Sequence, residues 1–211
     1  FDINYLGFAD ISLYTGFWGI FQKAAISLFL LLVGISITIS RNSRKENFAP
    51  HIIKRAMILF AIALLISAVT FVLFPQNWIY FGIIHMIAVS LLLSMPFSGQ
   101  KISALIVGLA VTLLPVFFDL QSFGLQFLFW LGFSRPQQTF DFVPIFPWFG
   151  VVLIGIYTGN ALMKYFSGLD RFQLARNKTI AWLGKNSLAI YLLHQPLIFG
   201  ALWLIKTLIL N

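Results

Sequence analysis

The feature that most limits what this chain can become is the length of its charge-free apolar runs. From Ala56 to Phe74 no charged residue interrupts the sequence, and crossing a bilayer's hydrocarbon core takes about 20 such residues. Runs of comparable length recur along the chain. In lipid every backbone N–H and C=O must find its partner inside the protein, which leaves only helices and closed barrels. A barrel would alternate apolar and polar residues over short strands, whereas these runs are continuous. The reading is therefore all-α: a polytopic transmembrane helix bundle, one transmembrane domain over residues 1–211. Composition closes the other routes. Charged residues make up 9% of the chain and hydrophobic residues 60%, against about 25% charged in an ordinary soluble domain. A soluble globule could not cover so much apolar surface, so a soluble enzyme is excluded. A disordered chain is excluded by the same composition, and a disulfide scaffold by the absence of cysteine.

Six stretches read as spanning helices: Ile20–Ser40, Ile52–Phe74, Ile79–Phe97, Ile102–Phe118, Pro147–Met163 and Ser187–Ile209. Alternate loops share a side, and the charges sort accordingly. Arg41, Arg44, Lys45, Lys54, Arg55, Lys101, Lys164, Arg171, Arg176, Lys178 and Lys185 fall on one side, 11 of the 14 basic residues. Lys23, Arg135 and Lys206 fall on the other, with Asp2, Asp10, Asp119 and Asp141. The positive-inside rule makes the first side cytoplasmic. The net charge of +8 is then an inner-face bias, and no nucleic-acid partner is implied. Both ends of the chain face outward on this parsing, and it opens Phe1-Asp2-Ile3-Asn4, so a seventh spanning helix is expected upstream. Leu120–Phe133 is apolar but short, and counting it as a span would reverse the sides of the later basic loop. It is expected to be an interfacial or re-entrant helix on the outer side, ended by Arg135-Pro136. Trp78, Tyr80, Trp130 and Trp148 lie near the outer boundary, as an aromatic belt does.

Ionisable groups inside a bilayer are functional candidates. His85 lies in the third span, roughly 9 Å below its outer edge, and His194 in the sixth, roughly 10 Å from the inner edge, at 1.5 Å per residue. The two could line one polar cavity, or each could hydrogen-bond a neighbouring helix. Pro196 removes a helical hydrogen bond and frees a carbonyl near Leu192. Asp141 is either a solvated loop charge or part of an outward-facing site. Gly155 and Gly159 form a small-x-x-x-small pair that points to close helix packing. Asn160 is polar and intramembrane, so it should face protein, and it stands with Asp141 as a substrate-binding candidate. Arg41, Arg44, Lys45 and Arg55 cluster around one short loop. They are topology determinants and lipid-headgroup contacts, or a cradle for a phosphorylated cytosolic donor. Nucleotide-binding glycine loops, metal-ligand clusters and a nucleophile elbow have no counterpart in the sequence.

Phe29-Leu30-Leu31-Leu32-Val33-Gly34-Ile35-Ser36 before the basic loop, Phe81-Gly82-Ile83-Ile84-His85-Met86-Ile87, the stretch from Asp141 through Pro147 to Gly150, and Asn186–Pro196 with its Tyr191-Leu192-Leu193-His194-Gln195 together resemble a family. Their order and spacing resemble the membrane domain of the heparan-α-glucosaminide N-acetyltransferase-like proteins, a prokaryotic group named for its lysosomal relative. The resemblance implies a transmembrane acyltransferase in a prokaryotic cytoplasmic membrane. Acetyl-CoA would be the cytosolic co-substrate, no metal would be needed, and the acceptor would be a sugar or lipid-linked glycan on the far side. Arg41, Arg44 and Arg55 would hold CoA phosphates, His85 or His194 would act as catalytic general base or proton relay, and the acceptor would pass Asp2, Asp119 and Asp141. Family members also carry a helix with Arg-Gly and a His just before the segment matching Asp2-Ile3-Asn4-Tyr5.

Other classes compete. A non-catalytic integral membrane subunit or lipid/solute-binding protein needs no reaction and fits a homo-oligomer or larger membrane complex. A haem protein would use His85 and His194 as axial ligands. A transporter would show inverted repeats or paired broken helices.

Overall fold

The computed structural model describes residues 16–134, 139–165, 182 and 187–209. The chain divides into two compact units, Lys23–Tyr165 and a smaller one made of Phe1–Gln22 with Phe166–Asn211. Six α-helices are described: α1 (Gly16–Arg44), α2 (Phe48–Leu73), α3 (Ile83–Leu93), α4 (Lys101–Phe117), α5 (Ile145–Tyr165) and α6 (Ser187–Ile209). Among the described residues every regular element is helical, apart from an isolated bridge between Phe81 and Phe142.

α1 and α2 are separated by a 3₁₀ turn, Lys45–Asn47, which begins where Lys45 takes a φ of 40°. α2 shows the surface of a helix suited to lipid. Ile52, Ala56, Leu59, Ala63 and Ser67 recur every three or four residues and are buried. Beyond Arg55 the exposed positions of the helix are also apolar, with Met57, Ile58, Leu64, Leu65 and Val72 facing outward. A water-facing helix would turn charge outward there. Two helical stretches, Gly16–Leu73 and Ile145–Tyr165, are long and apolar enough to cross a membrane, whereas Ile83–Leu93 and Lys101–Phe117 are shorter.

Two expectations are corrected. The third span was read as Ile79–Phe97, but α3 takes only 11 residues, about 16 Å of helix. Residues 77–82 stay outside the helix and hydrogen-bond to 139–143 instead. Phe140 N–H donates to the Asn77 carbonyl (3.0 Å), Val143 N–H to that of Phe81 (3.1 Å), and the Thr139 hydroxyl to that of Trp78 (2.8 Å). At the other end Pro96, which lacks an N–H, lies in the 3₁₀ turn Met95–Phe97. The expected helix over Leu120–Phe133 is two 3₁₀ segments, Leu120–Phe123 and Gln126–Leu131. Gly124, at φ 59°, closes the first of them, a conformation that glycine adopts without penalty.

Within the Lys23–Tyr165 unit α4 packs most extensively on α5, and α2 on α3. α5 also packs against α1 as its Gly155 and Gly159 suggested. A β-carbon on Gly155 would overlap the Leu31 carbonyl, and one on Gly34 would overlap the Val152 carbonyl. The Thr38 hydroxyl seals the seam by donating to the Ile156 carbonyl at 3.1 Å. Leu30, Ile37, Ile52, Met86, Leu91, Leu153 and Ile156 fill the core. α6 occupies the residues expected of the sixth span.

Candidate functional site

The start of α3 poses a problem that the sequence solves in an unusual way. The first N–H groups of a helix have no partner within it, and a serine, threonine or aspartate at the N-cap commonly supplies one. Here the N-cap is Gly82, which has no side chain. Asp141 takes over from the segment before α5: its Oδ2 accepts from Ile83 N–H at 2.7 Å. A carboxylate in this position also meets the positive end of the helix. Gly82 makes this approach available, because a β-carbon there would overlap the Asp141 carboxylate. His85, the third residue of the helix, completes the cap by accepting from Gly82 N–H through Nδ1 at 3.3 Å, the reciprocal half of a capping box.

On its other side His85 Nε2 lies 3.3 Å from the Ser67 hydroxyl of α2. Ser67 donates its own hydrogen to the Ile79 carbonyl at 2.7 Å. The imidazole is 5% exposed and is flanked by Phe81 and Phe60, with ring centroids 5.5 and 6.2 Å away. Asp141 is half-buried. Burial pushes its carboxyl above the usual carboxylate range, and the Ile83 N–H pulls part of the way back.

A second group lies where α1 ends and α2 begins. Arg41 donates to the Ser98 hydroxyl at 3.0 Å, and its guanidinium stands 5.3 Å from the Phe48 ring centroid. This ties the end of α1 to the turn after α3. Arg55 is half-buried and donates to the Ser36 hydroxyl at 3.4 Å. Arg44 is exposed. His51 completes the group and was missed from the sequence. Its position one turn before Lys54 and Arg55 was the available signal.

The structure therefore brings His85 and Asp141 together, through the consecutive amides of Gly82 and Ile83. It does not bring them to Arg41: Ser98, the partner of Arg41, lies beyond the far end of α3, about 16 Å of helix away. Asn160 spends its amide on its own helix, donating to the Ile156 carbonyl at 2.9 Å. Asp119 caps the turn Leu120–Phe123 through the Gln121 N–H. The side chain of His194, on α6, and the whole of Asp2 lie outside the described residues. Among the described residues no group of three or more His, Cys, Asp or Glu is placed to hold a metal ion.

A family model described as heparan-alpha-glucosaminide N-acetyltransferase, catalytic, matches residues 1–196. No curated protein matches the chain. No solved structure matches it either.

Proposed function

Because this chain belongs to the heparan-alpha-glucosaminide N-acetyltransferase catalytic family, we propose that it is an integral membrane acetyltransferase that works across the bilayer. The family match over residues 1–196 is the observation that carries this reading. Acetyl-CoA is the donor on the cytoplasmic side, and a sugar or lipid-linked glycan on the other side is the acceptor. The chain crosses six times, the third crossing made by α3 together with the non-helical segments that flank it, and the basic loops face the cytoplasm. Two chemically distinct ends support this division. The end with Arg41, Arg44 and Arg55 suits the phosphates of CoA, since guanidinium forks match phosphate oxygens. The end with Asp141 offers a carboxylate to acceptor hydroxyls or amines. In the transfer, the acceptor's nitrogen or oxygen attacks the thioester carbonyl and its proton passes to the imidazole of His194. The carbon–sulfur bond breaks, and the CoA thiolate leaves and is protonated.

The test is transfer from radiolabelled acetyl-CoA to glucosamine or a lipid-linked sugar, by the protein in sealed vesicles. Arg41→Ala and Arg55→Ala are expected to raise KM for acetyl-CoA, and His194→Ala to lower kcat. No transfer in either vesicle orientation, or transfer indifferent to all three substitutions, would overturn the proposal.

A further inference from the structure

Imidazole has two nitrogens, and for His85 each has a partner whose role is decided. An amide N–H can only donate, so the Nδ1 that faces Gly82 N–H at 3.3 Å is the bare nitrogen. Nε2 then carries the hydrogen. A serine hydroxyl has one hydrogen to give, and Ser67 has given it to the Ile79 carbonyl at 2.7 Å. Ser67 can therefore only accept from His85, and Nε2–H is the group that donates across the 3.3 Å between them.

We infer that Ser67 is a positioning residue that holds His85 as the neutral Nε2–H ring, so that His85 organises the start of α3 and the proton of the transfer reaction goes to another group. The inference deepens the acetyl-transfer reading and rests on it only for the activity measurement below. A base needs a bare nitrogen that can reach the acceptor. The bare Nδ1 of His85 is covered by the Gly82 amide, and a proton arriving there would set two N–H groups against each other. The ring lies between Phe60 and Phe81 and is 5% exposed, so no reactant reaches Nδ1 without breaking the cap. The hydrogen bonds instead form a line: Gly82 N–H to Nδ1, Nε2–H to Ser67, Ser67 to the Ile79 carbonyl. The next amide, Ile83 N–H, goes to Asp141. Three segments, α2, the start of α3 and the strand-like lead into α5, are thereby set against one another, and the Asp141 carboxylate is aimed by the peptide next to the one that His85 holds.

The experiment has two readouts. The first is the ¹⁵N spectrum of histidine-labelled full-length protein in bilayers at pH 7, with His85 assigned by its loss in His85→Gln. A protonated Nε2 with a bare Nδ1 is expected. Ser67→Ala is expected to shift the Nε2 resonance while Nδ1, still facing the Gly82 amide, stays bare, and Ser67→Thr to keep the wild-type resonance; a Ser67→Ala spectrum identical to wild type overturns the role of Ser67. A ring protonated at Nδ1, alone or together with Nε2, overturns the inference. The second readout is acetyl transfer by His85→Gln, whose amide keeps a donor toward Ser67 but cannot take a proton. A positioning role predicts transfer within about tenfold of wild type, whereas a general base predicts a loss of about 100-fold or more. A Gln variant as inactive as His85→Ala, though folded, overturns the inference. If wild type transfers nothing, the acetyl-transfer reading fails, and the nitrogen spectrum still decides the state of His85.

Discussion

Gly82→Ala isolates the contact that joins α3 to the segment before α5. Gly82 sits at φ −92°, ψ −175°, extended backbone open to any residue. Alanine there should stabilise the chain by about 0.4–1 kcal/mol through the unfolded state alone. The structure predicts the opposite sign, because the new β-carbon overlaps the Asp141 carboxylate. Displacing that carboxylate frees the Ile83 N–H, now 2.7 Å from Oδ2. A hydrogen bond to a charged group is worth about 1.5–3 kcal/mol, and a carboxylate at a helix start about 0.3–1 kcal/mol more. The net expectation with the carboxyl ionised is a loss of about 1–4 kcal/mol, the sum of these opposing contributions. In an Asp141→Ala background the obstacle is gone. The nearest remaining neighbour is the Ile79 Cγ2 methyl at 3.0 Å, which a side-chain rotation can move, so Gly82→Ala should there be neutral or stabilising. The assay is equilibrium unfolding in mixed detergent micelles followed by far-ultraviolet circular dichroism, run as a double-mutant cycle. A Gly82→Ala protein that is stabilised, or equally destabilised in both backgrounds, refutes the capping role of Asp141.

Three further predictions follow from other parts of the molecule. Gly155→Ala should destabilise by about 3 kcal/mol, at the upper end of overpacking costs, because its β-carbon meets backbone of α1 and not a movable side chain; an unchanged unfolding midpoint would contradict the α1–α5 seam. The raised pKa of Asp141 means that the folded chain keeps this proton to higher pH than the unfolded chain does. Wild type should therefore gain stability relative to Asp141→Asn as pH falls from 7 toward 4, and a difference that shrinks over that range in paired unfolding curves would reverse the assigned cause. Since the chain has no cysteine, Ser43→Cys and Ser122→Cys, both exposed, can be labelled singly with an impermeant maleimide. Ser43→Cys should react only from the cytoplasmic face and Ser122→Cys only from the outer face, and labelling from the same face would break the six-span parsing.

Much of the architecture was legible because it depends on local composition. The boundaries of α6 and the length of α2 follow from apolar runs, and the packing of Gly155 against α1 follows from small-residue spacing. The shortened third helix was not legible. Ile79–Phe97 is apolar enough to read as a span, but residues 77–82 are hydrogen-bonded to 139–143, a partner that no local pattern announces. The turns over Leu120–Phe133 were missed for a different reason: Gly124 takes a left-handed conformation that composition permits but does not require.

Sequence alone determined the solvent. So few charges and such long apolar runs point to a backbone satisfied as helices in lipid, and the asymmetry of the basic residues supplies the orientation that the labelling experiment tests. It also singled out His85, Asp141 and Arg41, because ionisable groups are rare in such a chain. Only the tertiary structure decided what they do to one another. It set Asp141 as the cap of a helix that begins far away in the sequence, matched Gly82 to the space that the carboxylate needs, and left His85 with both nitrogens engaged. A hydrogen bond depends on position in space, and residues distant in sequence acquire that only when the chain has folded.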